Sequence, residues 1–183
     1  MTLLVIEIKV PSHELVATHG LGPSLAALWP SYLAFVTSFL TVLVIWVHHH
    51  LVFALIEKND HPFLYWNGLL LLCVTFVPFP TALLAEYLLA SDARVAANLY
   101  TGTFLAISLA FAALWRHAST SLLAVDATRA QRSEARQITR QYRFGAPLYF
   151  VAFGISFVSE AWSIAACLLL AVFFALWRSP VTK

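Results

Sequence analysis

The chain has 183 residues, of which 61% are hydrophobic and 11% charged, with a mean hydropathy of +0.80. A soluble domain carries about 25% charged residues, and a globule this small exposes too much surface to hide so apolar a chain. An ordinary cytosolic enzyme, a disordered tail and a nucleic-acid-binding module are therefore excluded, and a formal charge of +2 names no polyanionic partner. The expected fold class is an all-α, polytopic transmembrane helix bundle in a lipid bilayer, a single membrane domain over 1–183.

A helix crossing about 30 Å of hydrocarbon needs roughly 20 apolar residues. Residues 1–10 are apolar but reach only about 15 Å at 1.5 Å per residue, half a span, before Pro11 stops them. This opening has no basic lead and no small-residue cleavage site, so it is not read as a cleavable signal peptide. The first full span is expected over 29–47, with Pro30 in its first turn, where a missing N–H costs little. His48-His49-His50 follows at its end. Consecutive helical positions point about 100° apart, so the three rings do not converge on one ion. No metal and no cofactor are expected, and the histidines read as groups hydrogen-bonded between helices.

The second full span is expected over 64–88, interrupted by Pro78-Phe79-Pro80-Thr81. Two prolines remove two backbone donors and free carbonyls, which in a membrane need new partners. Pro78 and Pro80 therefore mark a helix kink, with Thr81 placed to repair the bonding. The third span is expected over 93–115. A polar segment, 118–142, follows, with arginines at 129, 132, 136, 140 and 143, spacings of 3, 4, 4 and 3. That spacing lays a cationic stripe along one helical face. A voltage sensor needs such arginines inside an apolar span. Here their neighbours are Asp126, Gln131, Ser133, Glu134, Gln137 and Gln141, so the segment reads as a cytoplasmic connector beside anionic headgroups. The last two spans, 144–158 and 161–177, form a tight hairpin.

If the helix ends alternate across the bilayer, nine of the Lys and Arg residues fall on one side and two, Lys9 and Arg94, on the other. The positive-inside rule then puts the Arg-rich connector and the C-terminus in the cytoplasm. Trp29, Trp66, Trp115, Trp162 and Trp177 lie near span ends, as an aromatic belt predicts. Glu86 and Glu160 read as interfacial. Cys73 and Cys167 stand far apart in apolar runs and form no disulfide framework. No Ser/His/Asp set, no paired mid-membrane carboxylates and no phosphate loop suggest an enzyme. No TVGYG-type filter is present.

Four blocks carry a resemblance: Thr2-Leu3-Leu4-Val5-Ile6-Glu7-Ile8 before Pro11; Leu28-Trp29-Pro30-Ser31-Tyr32-Leu33 with Ser38-Phe39; Trp46-Val47-His48-His49-His50-Leu51-Val52-Phe53; and Asn67-Gly68-Leu69-Leu70-Leu71-Leu72 leading into Phe76-Val77-Pro78-Phe79-Pro80-Thr81-Ala82-Leu83-Leu84-Ala85-Glu86-Tyr87. Together they resemble the transmembrane protein 175 family, endosomal and lysosomal potassium channels with shorter bacterial members. The resemblance implies a six-helix repeat, a homotetramer, potassium ions as the permeant partner and a bacterial plasma membrane. It also implies that the first helix lines the pore. Thr2, Leu3 and Ile6 are then the pore-lining candidates, with Leu3 and Ile6 forming apolar rings that gate by dewetting. Trp46, His49 and His50 form a structural cluster between helices.

The chain departs from the family at its start. The basic residue, the Phe-Ser-Asp motif and about half a span that open the family's first helix do not precede Met1. Two readings follow: a start placed downstream of the true one, or a shortened channel that conducts poorly. Beside the channel stand a secondary transporter, suggested by the broken helix, and a non-conducting scaffold or metal-binding protein built on His48–His50.

Overall fold

The computed structural model describes residues 8, 10–56, 58–122 and 129–177. These are almost wholly helical, and no strand occurs among them. Two short helices come first, α1 (His13–His19) and α2 (Leu21–Ala26). The Ser12 Oγ accepts from the Leu15 N–H at 3.4 Å and caps α1. Gly20, at φ +81°, turns the chain between the two, a conformation that suits a residue without Cβ. Ser24 Oγ then donates to the Gly20 carbonyl at 2.8 Å.

α3 (Trp29–Leu55) starts with Pro30 in its first turn and runs unbroken through the three histidines. The sequence predicts an end to this span at 47. The helix continues because Val52 and Leu55 still have a core to enter, at 0% and 7% exposure. α4 (His61–Phe76) is capped by Asp60, whose Oδ1 accepts from the Phe63 N–H at 2.9 Å. α5 (Pro78–Tyr87) follows after the single residue Val77. α6 (Ala93–His117) passes into a π-helical turn, Ala118–Leu122. α7 (Arg129–Ser156) and α8 (Glu160–Leu176) close the bundle as a hairpin, the latter capped by Ser159.

Three stretches, Trp29–Leu55, His61–Tyr87 and Ala93–Leu122, are long and apolar enough to cross a membrane, and Glu160–Leu176 is apolar but shorter. α6 is the axis of the bundle. It packs against α4, α5, α7 and α8, and its buried face carries Ala96, Ala97, Tyr100, Phe104, Ile107 and Leu114. Small residues at this face let neighbouring backbones approach. The outside is apolar too: Leu64, Tyr65, Leu72, Phe79 and Leu169 are exposed. A water-facing surface could not carry so much apolar area without association, whereas lipid tails cover it at no cost.

Two features depart from the sequence expectation. The polar connector and the fourth span are not separate elements, because residues 129–156 form one helix that runs through Pro147. Trp115 does not sit in a belt. It is buried, and its indole N–H donates to Thr139 Oγ1 of α7 at 3.0 Å.

Candidate functional site

Thr2, Leu3 and Ile6, the pore-lining candidates, lie outside the described residues. Of the other candidates His49, Pro78 and Pro80 fall at the seams between helices, whereas His50 does not join the expected interhelix cluster: it is exposed and meets only Trp46, itself 60% exposed, one turn back on the same helix. The three histidines diverge. His48 is buried, and its Nδ1–H donates to the Val44 carbonyl at 2.9 Å, while its ring meets the Tyr142 ring edge-on at 5.7 Å. His49 turns to α4, where its Nε2–H donates to Asn67 Oδ1 at 2.7 Å, and its ring lies 4.6 Å from that of Phe53. His50 is exposed and stacks on Trp46 at 6.1 Å. Because a carbonyl oxygen only accepts, His48 carries its proton on Nδ1 and His49 on Nε2. Three successive rings thus serve three different neighbours. Among the described residues no group of three His, Cys, Asp or Glu side chains could hold a metal ion.

The second seam gathers at the proline break. Pro78 and Pro80 have no N–H to give, so the helix ladder thins around Val77. The Val77 N–H bonds the Val74 carbonyl at 3.2 Å, one residue short of the α-helical pattern. The Val77 carbonyl receives two bonds from Thr81: the backbone N–H at 3.1 Å and the hydroxyl at 2.8 Å. That leaves the Thr81 oxygen free only to accept. Ser38 Oγ of α3 lies 2.8 Å from it, and the Tyr100 hydroxyl of α6 lies 3.0 Å from Ser38. Proton counting fixes the direction: Tyr100 donates to Ser38, Ser38 to Thr81 and Thr81 to the Val77 carbonyl. One chain of hydroxyls therefore joins α3, α5 and α6 in the apolar interior. Ser38, Thr81 and Tyr100 are all buried, so each depends on the others for a partner.

Further ties hold α6 at both ends. At one end the Thr101 hydroxyl donates to the Ala97 carbonyl at 2.8 Å and makes a longer contact of 3.2 Å with Ser156 Oγ of α7. At the other, His117 Nε2 lies 2.9 and 2.8 Å from the two oxygens of Asp60. Asp60 so caps α4 and holds the end of α6 at once. The Phe63 N–H and, after it, His117 hold its carboxyl below the ordinary value of 3.8, against an opposing effect of desolvation.

Between α3, α6, α7 and α8 lies a mostly apolar cavity of about 70 Å³, lined among others by His48, Ser108, Phe111, Tyr142, Tyr149 and Phe174. The buried Tyr142 hydroxyl has no protein partner among the described residues.

Of the cluster expected from the sequence, Trp46, His49 and His50, only His49 bonds another helix, and Thr81 stands at the break as expected. The sequence reading does not single out Asp60, His117, Tyr100 or Ser156. A polar side chain in the middle of an apolar run was the available signal for Ser38, Asn67 and Tyr100. Pairing such residues across tens of positions needs the fold.

The sequence and the fold are similar to those of known proteins. The family described as "Endosomal/lysosomal potassium channel TMEM175" matches residues 1–78. A potassium channel of Chamaesiphon minutus is 59% identical over 178 residues, 96% of this chain and 86% of that protein. A potassium channel of Streptomyces collinus is 39% identical over 182 residues, 99% of this chain and 87% of that protein. The crystal structure of a lysosomal potassium-selective channel TMEM175 homolog from Chamaesiphon minutus superposes with a TM-score of 0.89 at 57% identity, covering 98% of this chain and 90% of that one. A match of this depth along nearly the whole length is one of descent, and the chain belongs to the TMEM175 family.

Proposed function

We propose that this chain forms a potassium-permeant cation channel in a bacterial plasma membrane, as a homotetramer with the C-terminus in the cytoplasm. The observation that carries the reading is the 59% identity to a protein named as a potassium channel, over 96% of this chain. The constriction is apolar and built from the opening segment: Leu3 and Ile6, three apart, share a helical face, and Thr2 sets a hydroxyl beside them. Four copies around an axis make rings that exclude water, and no TVGYG-type carbonyl cage is needed.

The interior of the described bundle supports an ion path between subunits rather than through one. Among the described residues the buried hydroxyls of Ser38, Thr81 and Tyr100 are engaged in one chain and those of Thr41 and Thr103 donate to carbonyls of their own helices, while those of Thr37 and Tyr142 have no hydrogen-bond partner. The cavity among α3, α6, α7 and α8 is about 70 Å³ and mostly apolar, so it offers a potassium ion few oxygens to replace its water. Of the His48–His50 row, His49 ties α3 to α4 through Asn67 and His48 packs against Tyr142 of α7, while His50 stays on the surface of α3.

Potassium flux into liposomes from the reconstituted chain tests this. Leu3→Ala and Ile6→Ala widen the ring and raise the flux several-fold. If both leave conductance and selectivity unchanged, the pore belongs to another segment. Flux that saturates and follows a proton gradient would identify a secondary transporter instead.

A further inference from the structure

We infer that the outward face of α7 is a binding site for one anionic phospholipid, with Arg140 and Arg143 on its phosphate and the apolar residues that follow under its acyl chain. Two landmarks, the ends of α6 and α8, set the depth of this part of the helix. Trp115, at the end of the apolar run of α6, bonds Thr139. Gly145 faces Phe174, near the end of α8, closely enough that a Cβ there would lie 3.9 Å from the ring. Trp177 follows directly after α8. The hydrocarbon boundary therefore crosses α7 between Thr139 and Gly145, which puts Arg140 and Arg143 at headgroup level.

Arg136, Arg140 and Arg143 are exposed, and so are Phe144, Phe150 and Val151. At steps of three and four these residues share one side of the helix. The chemistry of that side changes from guanidinium to apolar within one residue, at Arg143–Phe144. Below it a shallow groove between α7 and α8 continues past Gly154 and Val158 to Trp162 and Leu169. The order, cation then apolar track, is the order of a phospholipid read from phosphate to tail. Guanidinium forks match phosphate oxygens. Among the described residues no carboxylate pairs with Arg136, Arg140 or Arg143. A second copy of the same stripe would bring like charges together, whereas an anionic lipid supplies the complementary charge and the chain in one molecule.

Native mass spectrometry of the intact protein, released from detergent with phosphatidylglycerol and phosphatidylcholine, tests the site. The unaltered chain retains phosphatidylglycerol in preference. Arg140→Gln with Arg143→Gln lowers that retention about thirtyfold, and each single change about fivefold, as expected for two basic residues at a headgroup surface. Arg140→Lys with Arg143→Lys keeps most of it, and Phe150→Gln reduces it with both arginines intact. Arg94→Gln, at the far end of the bundle, leaves it unchanged. Unaltered retention in the double glutamine variant overturns the site. So does an equal loss in Arg94→Gln, which would mean bulk charge alone. Displacement by excess inorganic phosphate, or a change in oligomer mass on neutralising the arginines, would assign the face to a free anion or to a second subunit, and either overturns the lipid. Should the double variant fail to fold, the two single variants carry the same readout.

Discussion

α4 and α6 are both apolar helices, but they hold opposite places. The most apolar 18 residues within His61–Tyr87 are only 28% buried, while those within Ala93–Leu122, which are less apolar, are 50% buried. In a soluble protein the order would be reversed. In a bilayer the solvent is itself hydrocarbon, so leucines gain little by turning inward. What must turn inward is the residue with a hydroxyl to satisfy or the residue small enough to let helices touch. α6 buries Ala96, Ala97, Tyr100, Thr101 and Thr103 for that reason, and α4 shows Leu64, Leu69, Leu71 and Leu72 to the outside.

The largest effect should come from filling the central seam. Ala97 has 0% exposure, so Ala97→Leu overpacks α6 and costs about 1–3 kcal/mol, read as a fall in the thermal midpoint of the detergent-solubilised protein. Leu72→Ala, on the lipid side of α4 at 66% exposure, should shift the same midpoint by less than about 0.5 kcal/mol. Equal effects at the two positions would break the contrast.

The hydroxyl chain comes next. Ser38→Ala strands the Tyr100 O–H and also removes the donor to Thr81, and should cost about 1 kcal/mol. Tyr100→Phe removes only the terminal donor and should cost less. If the order is the other way round, the direction assigned to the chain is wrong.

The smallest effect concerns the end of α6. A carboxyl held below its ordinary value stabilises the fold when charged, so the contribution of Asp60 is complete above the ordinary carboxylate value. It is lost as the pH falls below about 4 and through the lower value that the folded protein imposes. Asp60→Asn should therefore flatten the acid limb of a stability–pH profile while leaving its neutral region little changed. An unaltered acid limb would mean that neither the Phe63 N–H nor His117 stabilises the charged carboxyl.

Much of this architecture is legible without coordinates. The apolar runs announce the spans because hydrocarbon demands length and lack of charge, and those demands are local. The reading weakens where a helix changes solvent along its length. Arg129–Ser156 is half polar and half apolar and contains Gly145 and Pro147, so it reads as a connector and a short span. It is one helix because packing holds it on both sides of the proline: Thr139 meets Trp115 before it, and Ser156 meets Thr101 after it. Trp115 departs from its sequence expectation for the same reason. A tryptophan near a span end suits a belt, and only the neighbouring helix shows that its N–H is already taken.

By itself the sequence determined that this is a helical membrane protein, where most of its apolar stretches lie, and that the line breaks at Pro78 and Pro80. Each follows from composition or from a backbone donor that is missing wherever the helix sits. The tertiary structure decided which helix becomes the axis and which neighbour each histidine and buried hydroxyl finds. Those outcomes depend on pairings such as Ser38 with Tyr100 and Asp60 with His117, 62 and 57 residues apart, which no local pattern encodes.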